Sequence, residues 1–182
     1  MSSRIHAACR KLSTGMGYEI ERKFLVRGGA WRGLGTTTRI CQGYLSTDPD
    51  RVVRVRVRGE RGFFTVKGRA QGVRRVEVES ELPLTDANVL LELCKPPLID
   101  KLRHVIEHAG FQFEVDEFSG ENAGLVIAEL EVADEADFAR ALANPPSWLG
   151  RDVSADSRLA NSALSERPFG RWSEEERRAL LE

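Results

Sequence analysis

Several things are scarce in this 182-residue chain, and each scarcity excludes something. There are three cysteines, Cys9, Cys41 and Cys94, odd in number and without CxxC spacing. That argues against a disulfide scaffold or a zinc knuckle and for a reducing compartment. No apolar run approaches the length needed to span a bilayer. Aromatic residues make up 7% of the chain, and Trp31, Trp148 and Trp172 read as packing residues rather than base-stacking platforms. Net charge is almost absent: 27 Lys and Arg against 28 Asp and Glu leave −1, so no bulk excess draws the chain to nucleic acid or a membrane surface. The three histidines, His6, His104 and His108, lack metal-ligand spacing. No repeat or low-complexity tract is present.

Charge itself is plentiful at 30% of residues, beside 41% hydrophobic, which suits one well-buried domain. Residues 1–17 carry basic and small side chains without an apolar centre. They are expected to be a disordered extension rather than a secretory signal, with Met16 an alternative start. From 18 to 132 the chain alternates like strands: 18–26, 38–46, 52–58, 62–67, 74–82, 100–107, 112–118 and 125–132. Turn-like separators such as Asp48-Pro49-Asp50 and Gly59-Glu60-Arg61-Gly62 imply an antiparallel meander. Thr85 or Asp86 is expected to cap a helix ended by Pro96-Pro97, and Asp134 another ended by Pro145-Pro146. A third helix is expected over 155–164, and Ser173 with Glu176 forms a capping box for a last one. The expected class is α+β, with a main domain over 18–165 and a helical tail over 166–182 that caps the domain or mediates a homodimer.

The strands sort their charges. Glu19, Glu21 and Lys23 share one face of the first. Arg54, Arg56 and Arg58 share a face of the third, opposite Val53, Val55 and Val57. Arg75, Glu77, Glu79 and Glu81 line up in the fifth, and Lys101 with Arg103, Glu114 with Asp116, and Glu129 with Glu131 follow. A sheet with one solvated face also alternates apolar and charged residues. Segregated signs and a preference for arginine suggest instead a charged lumen. Guanidinium forks match phosphate oxygens, and paired carboxylates suit a hard divalent cation. On spacing alone both readings stand.

A resemblance adds to this. Glu19-Ile20-Glu21-Arg22-Lys23-Phe24 resembles the ExExK signature that opens the CYTH domain of the triphosphate tunnel metalloenzymes. Gln42-Gly43-Tyr44-Leu45, Arg54-Val55-Arg56, Thr65-Val66-Lys67 and Arg75-Val76-Glu77-Val78-Glu79 follow in the family's order. Lys101-Leu102-Arg103, Glu114-Val115-Asp116-Glu117-Phe118, Ala128-Glu129-Leu130-Glu131, Asp152-Val153-Ser154 and Ala160-Asn161-Ser162-Ala163-Leu164 complete it. The resemblance covers about 18–165.

It implies a closed eight-stranded antiparallel β-barrel, the triphosphate tunnel, with helices packed outside. Lys23, Arg54, Arg56, Lys67, Arg75, Lys101 and Arg103 would hold a triphosphate. Glu19 and Glu21 would bind Mg²⁺ or Mn²⁺, with Asp116, Glu129 and Glu131 as further ligands for that ion or a second one. The implied reaction is metal-assisted phosphoanhydride hydrolysis, with inorganic triphosphate the leading substrate and the cytoplasm the expected compartment. Tyr44, a phenol among cations, is expected to have its charged form favoured and to accept a proton, or else to be a packed aromatic; Lys23 is the alternative group to orient the water. Many members carry a basic residue where this chain has Ser157, and Arg158 is the expected substitute. Class IV adenylate cyclase, thiamine triphosphatase and a non-catalytic polyphosphate-binding module are the alternative functions. No nucleic-acid or membrane partner is expected.

Overall fold

The computed structural model describes residues 20–69 and 76–181. Two expected site residues, Glu19 and Arg75, and the expected extension over 1–17 lie outside them. Nine strands form one antiparallel sheet: β1 Ile20–Val26, β2 Thr36–Ser46, β3 Arg51–Arg58, β4 Arg61–Gly68, β5 Glu77–Leu82, β6 Lys95–His108, β7 Phe111–Phe118, β8 Val126–Val132 and β9 Leu149–Asp152. Their order across the sheet is β5-β4-β3-β2-β6-β7-β8-β1-β9. The sheet therefore has one strand more than expected. Among the described residues no ladder joins β5 to β9, so the wall curls round a tunnel without closing by hydrogen bonds. The four-residue β9 takes the edge of β1 that closure would otherwise use.

The helices are α1 Leu84–Glu92, α2 Glu135–Ala143, α3 Asn161–Glu166 and α4 Glu174–Leu181. The caps expected for α2 and α4 form: the Asp134 side chain accepts from the Asp137 N–H. Ser173 Oγ accepts from the Glu176 N–H at 3.1 Å while Glu176 returns the bond to the Ser173 N–H at 2.8 Å. At α1 the cap position is Pro83, not Thr85 or Asp86, and Pro96-Pro97 sits inside β6 instead of in a loop. The helix expected over 155–164 is a 3₁₀ turn, Ser157–Leu159, followed by α3.

The period of two decides which face each side chain takes. Val55 and Val57 of β3 point outward: Val55 is fully buried in a cluster with Ala87, Leu91 and Cys94 of the α1 segment, and Val57 packs against it. Gly43 is required there, because a Cβ on it would meet the Cys94 Cβ at 2.6 Å. A second outer cluster joins Phe24, Phe113, Val115, Ala128 and Leu130 to Trp31, Trp148 and α2.

The third cluster belongs to the tunnel itself. Along β6, β7 and β8 the inward rows change from charged to apolar: Arg103 and Lys101 give way to Ile99, Asp116 to Phe118, and Glu129 to Ile127. Those apolar residues, with Leu25, pack against Leu159, Leu164, Phe169, Trp172 and Leu180. One end of the tunnel is thus plugged by the C-terminal segment. Phe169, Trp172 and Leu180 of the tail belong to this buried cluster.

Candidate active site

The polar part of the tunnel is a cavity of about 1060 Å³. Its walls carry Glu21 and Lys23 from β1, Gln42 and Tyr44 from β2, and Arg54 and Arg56 from β3. Lys67 comes from β4, Glu77 and Glu79 from β5, Lys101 and Arg103 from β6, Gln112 and Glu114 from β7, and Glu129 and Glu131 from β8. Strand alternation plus register delivers them: Gln42 pairs with Arg56, Tyr44 with Arg54, Lys23 with Glu129, and Glu21 with Glu131.

One wall is built round Glu79. Its Oε2 accepts from Thr65 Oγ1 at 2.8 Å, Arg56 Nη2 at 3.0 Å and Arg54 Nη2 at 3.3 Å. Burial alone would raise the Glu79 carboxyl, but the Thr65 hydroxyl and the two guanidinium groups hold it below the usual carboxylate range. The arginines are less well served. Among the described residues their Nε groups are buried with no partner, and burial followed by repulsion from Arg54 lowers the Arg56 guanidinium. Unpaired buried donors are costly and mark where an acceptor belongs. Lys67 meets Glu77 at 2.8 Å.

The opposite wall is built round Asp116, which is 1% exposed. Its Oδ2 accepts from Lys101 Nζ at 2.5 Å and Arg103 Nη2 at 2.6 Å, and its Oδ1 from Arg103 Nε at 2.7 Å. Lys101 also donates to Asn161 Oδ1 of α3 at 3.2 Å. Burial lowers the Lys101 ammonium. Burial pulls the Arg103 guanidinium down too, but Asp116, Glu129 and Glu114 outweigh it and raise it. Asp116 stands behind the two cations rather than among the cavity-lining residues, with both oxygens occupied. The arrangement sets it apart from Glu21, Glu129 and Glu131, with which the sequence grouped it.

Between the walls, Lys23 Nζ donates to Glu129 Oε1 at 2.5 Å and also contacts Glu21, while Arg103 Nη2 reaches Glu129 Oε2 at 2.8 Å. The Lys23 backbone N–H is fixed by Ser154 Oγ at 2.8 Å, a role for the Asp152-Val153-Ser154 segment. Burial opposes the Lys23 charge, but Glu129 and Glu21 reverse that and raise its pKa. Burial likewise acts to raise Glu129, and Lys101, Lys23 and Arg103 overcome it, pushing the carboxyl down to about 2.

Two expectations come out differently. Burial outweighs the cations at Tyr44, so its phenol is pushed up to about 12 and stays neutral, against the charged form expected from its surroundings. Its hydroxyl accepts from Gln42 Nε2 at 3.1 Å, leaving its own proton to donate. Arg158 does not reach the cavity. It forks onto Asp156 at 2.9 and 2.7 Å and lies 4.3 Å over the Trp172 ring, so the side chain is spent on the tail. Sequence reasoning passed over Gln42, Thr65, Glu79, Glu114 and Asn161 as site residues. Gln42, Thr65, Glu79 and Glu114 each share a strand face with a residue already chosen, Tyr44, Lys67, Arg75 and Asp116 in turn, whereas Asn161 lies on a short helix and gave no such signal.

The carboxylates fit a hard divalent cation in part. Glu21 and Glu131 face each other across β1 and β8, and Glu114 faces Glu129 across β7 and β8. Like charges in register repel, and Arg103 already bridges Glu114 and Glu129. Among the described residues no three acidic, His or Cys side chains converge on one point, and Lys23 bridges Glu21 and Glu129.

This tunnel has known counterparts. Residues 17–165 match the model of the CYTH domain, most of the chain. The protein belongs to the CYTH domain family. Across 160 residues this CYTH protein is 47% identical to an inorganic triphosphatase of Acetivibrio thermocellus, covering 87% of this chain and all of that one. It is 35% identical over 149 residues to an inorganic triphosphatase of Nitrosomonas europaea, covering 81% and 96%. A crystal structure of an inorganic triphosphatase superposes with a TM-score of 0.64 at 32% identity, over 81% of this chain and 93% of that one. No described helix of the CYTH protein is long and apolar enough to cross a membrane.

Proposed function

We propose that this CYTH protein hydrolyses a linear triphosphate, inorganic triphosphate foremost, inside its tunnel and with Mg²⁺ or Mn²⁺. The carrying observation is the pair of buried, partnerless Nε donors on Arg54 and Arg56 in a cavity whose facing wall bears carboxylates. An anion rich in acceptor oxygens satisfies those donors. The two relatives named inorganic triphosphatase, aligned over most of the chain, support the same reading.

Arg54 and Arg56 would grip the anion from one wall and Lys101 and Arg103 from the other, with Lys67 and Lys23 completing the cage. Arg75 is the further cation that the family pattern adds. Such preorganised cations stabilise the charge that spreads over the transferring phosphoryl group, and they need no reorganisation as it moves. Asp116 keeps Lys101 and Arg103 charged and aimed. Glu21, Glu129 and Glu131, with Glu19, would hold the metal ion, which supplies phosphate-charge neutralisation and acidifies water. The neutral Tyr44 hydroxyl donates a hydrogen bond to a phosphate oxygen, and Gln42 holds it in place. The free thiols of Cys41 and Cys94 fit the reducing environment of the cytoplasm.

The test is release of phosphate from inorganic triphosphate, ATP and thiamine triphosphate, each with Mg²⁺, with Mn²⁺ and with chelator. Fast, metal-dependent turnover of inorganic triphosphate is expected. Formation of cyclic AMP without phosphate release points to a cyclase, and tight triphosphate binding without turnover to a binding module; either overturns the reading.

A further inference from the structure

Lys23 stands in an unusual position. It is one of the cations assigned to the substrate, yet its ammonium is held by two carboxylates assigned to the metal. Lys23 Nζ lies 2.5 Å from Glu129 Oε1 and also contacts Glu21, in strand register with Glu129 and one pleat from Glu21. The Lys23 and Glu129 side chains are 17% and 15% exposed, so solvent screens the pair little. Glu129 does not depend on Lys23 for a partner, because Arg103 donates to its other oxygen at 2.8 Å. The ammonium can leave without stranding a buried charge.

We propose that Lys23 is a built-in cation that holds the metal carboxylates until a ligand arrives and couples metal binding to triphosphate binding. A divalent ion arriving at Glu21 and Glu129 displaces the ammonium. The lysine stem is long, and its backbone is anchored by Ser154, so the freed charge turns into the cavity where the phosphates lie. A polyanion arriving first draws Lys23 away and exposes the carboxylates. Each ligand thus removes a cost that the other would meet, and the coupling is reciprocal. This inference rests on the metal–triphosphate reading of the site, but its test uses the metal alone.

Binding of Mn²⁺ to the intact protein is followed by electron paramagnetic resonance, without any phosphate. Lys23→Met keeps the stem and removes the charge; it is expected to bind Mn²⁺ about tenfold more tightly than the unmodified protein, within the usual range of coupling between sites. Lys23→Arg, which keeps the charge, is expected to stay near the unmodified value. Equal, weaker or undetectable binding to Lys23→Met overturns the proposal. Should Lys23→Met fail to fold, the unmodified protein decides: Mg²⁺ must move the ¹⁵Nζ resonance of Lys23, identified by its loss in Lys23→Arg, and an unmoved resonance overturns the proposal. These readouts do not involve turnover, so an inactive protein can satisfy them and an active hydrolase can fail them.

Discussion

Arg56 Nη2 donates to Glu79 Oε2 at 3.0 Å across the β3–β4–β5 wall, and that same oxygen also takes Arg54 at 3.3 Å. One carboxylate therefore orders two arginines without exhausting them, since their Nε groups have no partner among the described residues. Arg56→Ala removes a charged donor worth about 1.5–3 kcal/mol to a bound anion. Calorimetry with inorganic triphosphate is expected to show a loss of affinity of about ten- to a hundredfold. An unchanged affinity would place the anion elsewhere.

Asp116 carries the opposite wall. Replacing it by Ala leaves Lys101 and Arg103 facing each other without their shared carboxylate, at a cost of about 3–5 kcal/mol for a broken buried ion pair. Guanidinium unfolding curves are expected to show that loss. A change within the error of the extrapolation would mean that Asp116 does not hold these cations.

Glu129 sets an acid limit. Its folded-state pKa is depressed to about 2, against about 4.3 for an ordinary glutamate. A depressed carboxyl contributes stability that is fully present above the unfolded value and is lost as pH falls through the folded one. Stability is expected to decline between about pH 4.3 and about pH 2 with a slope that Glu129→Gln reduces. An identical slope in the variant counts against the pairing of Glu129 with Lys23 and Arg103.

Tyr44 offers a kinetic test. With its phenol near 12 it is a donor at neutral pH, not a base. Tyr44→Phe is expected to cost about tenfold in turnover, as loss of one hydrogen bond does, and not the 10²–10⁴ of a lost general base. The alkaline limb of the rate profile should keep its midpoint. A collapse of turnover with loss of that limb would restore Tyr44 as a proton acceptor.

Trp172 tests the tunnel's floor. It is 3% exposed, meets Phe169 at a tilt with 5.4 Å between ring centres and supports the Arg158 guanidinium. Trp172→Ala is expected to cost about 3–5 kcal/mol, the usual penalty for emptying a buried aromatic site. A loss confined to oligomer formation, with no change in unfolding, would instead make the tail an interface.

Much of the site was legible because strand alternation is local. Glu21 with Lys23, Arg54 with Arg56, Lys101 with Arg103 and Glu129 with Glu131 share a face whatever the strands do next, and each pair lines the cavity. The α2 and α4 caps were legible for the same reason, each being closed within three residues. Depth was not legible. Glu114 and Asp116 share a face, yet Glu114 lines the cavity while Asp116, in register with Arg103, lies behind Lys101 and Arg103 with both oxygens taken by them.

By itself, then, the sequence determined which side chains travel together: the period of two along each strand and the order of the motifs leave no other pairing. The tertiary structure alone decided which of them meet solvent, the cavity or one another. Arg158 turns to Asp156 and Trp172 because the C-terminal segment folds under the tunnel. Tyr44 keeps its proton because its neighbours shut out water. Lys23 settles on Glu129 because β1 lies beside β8, strands more than a hundred residues apart in the chain. Such charge balances depend on burial and on long-range register, and neither is a property of any short run of residues.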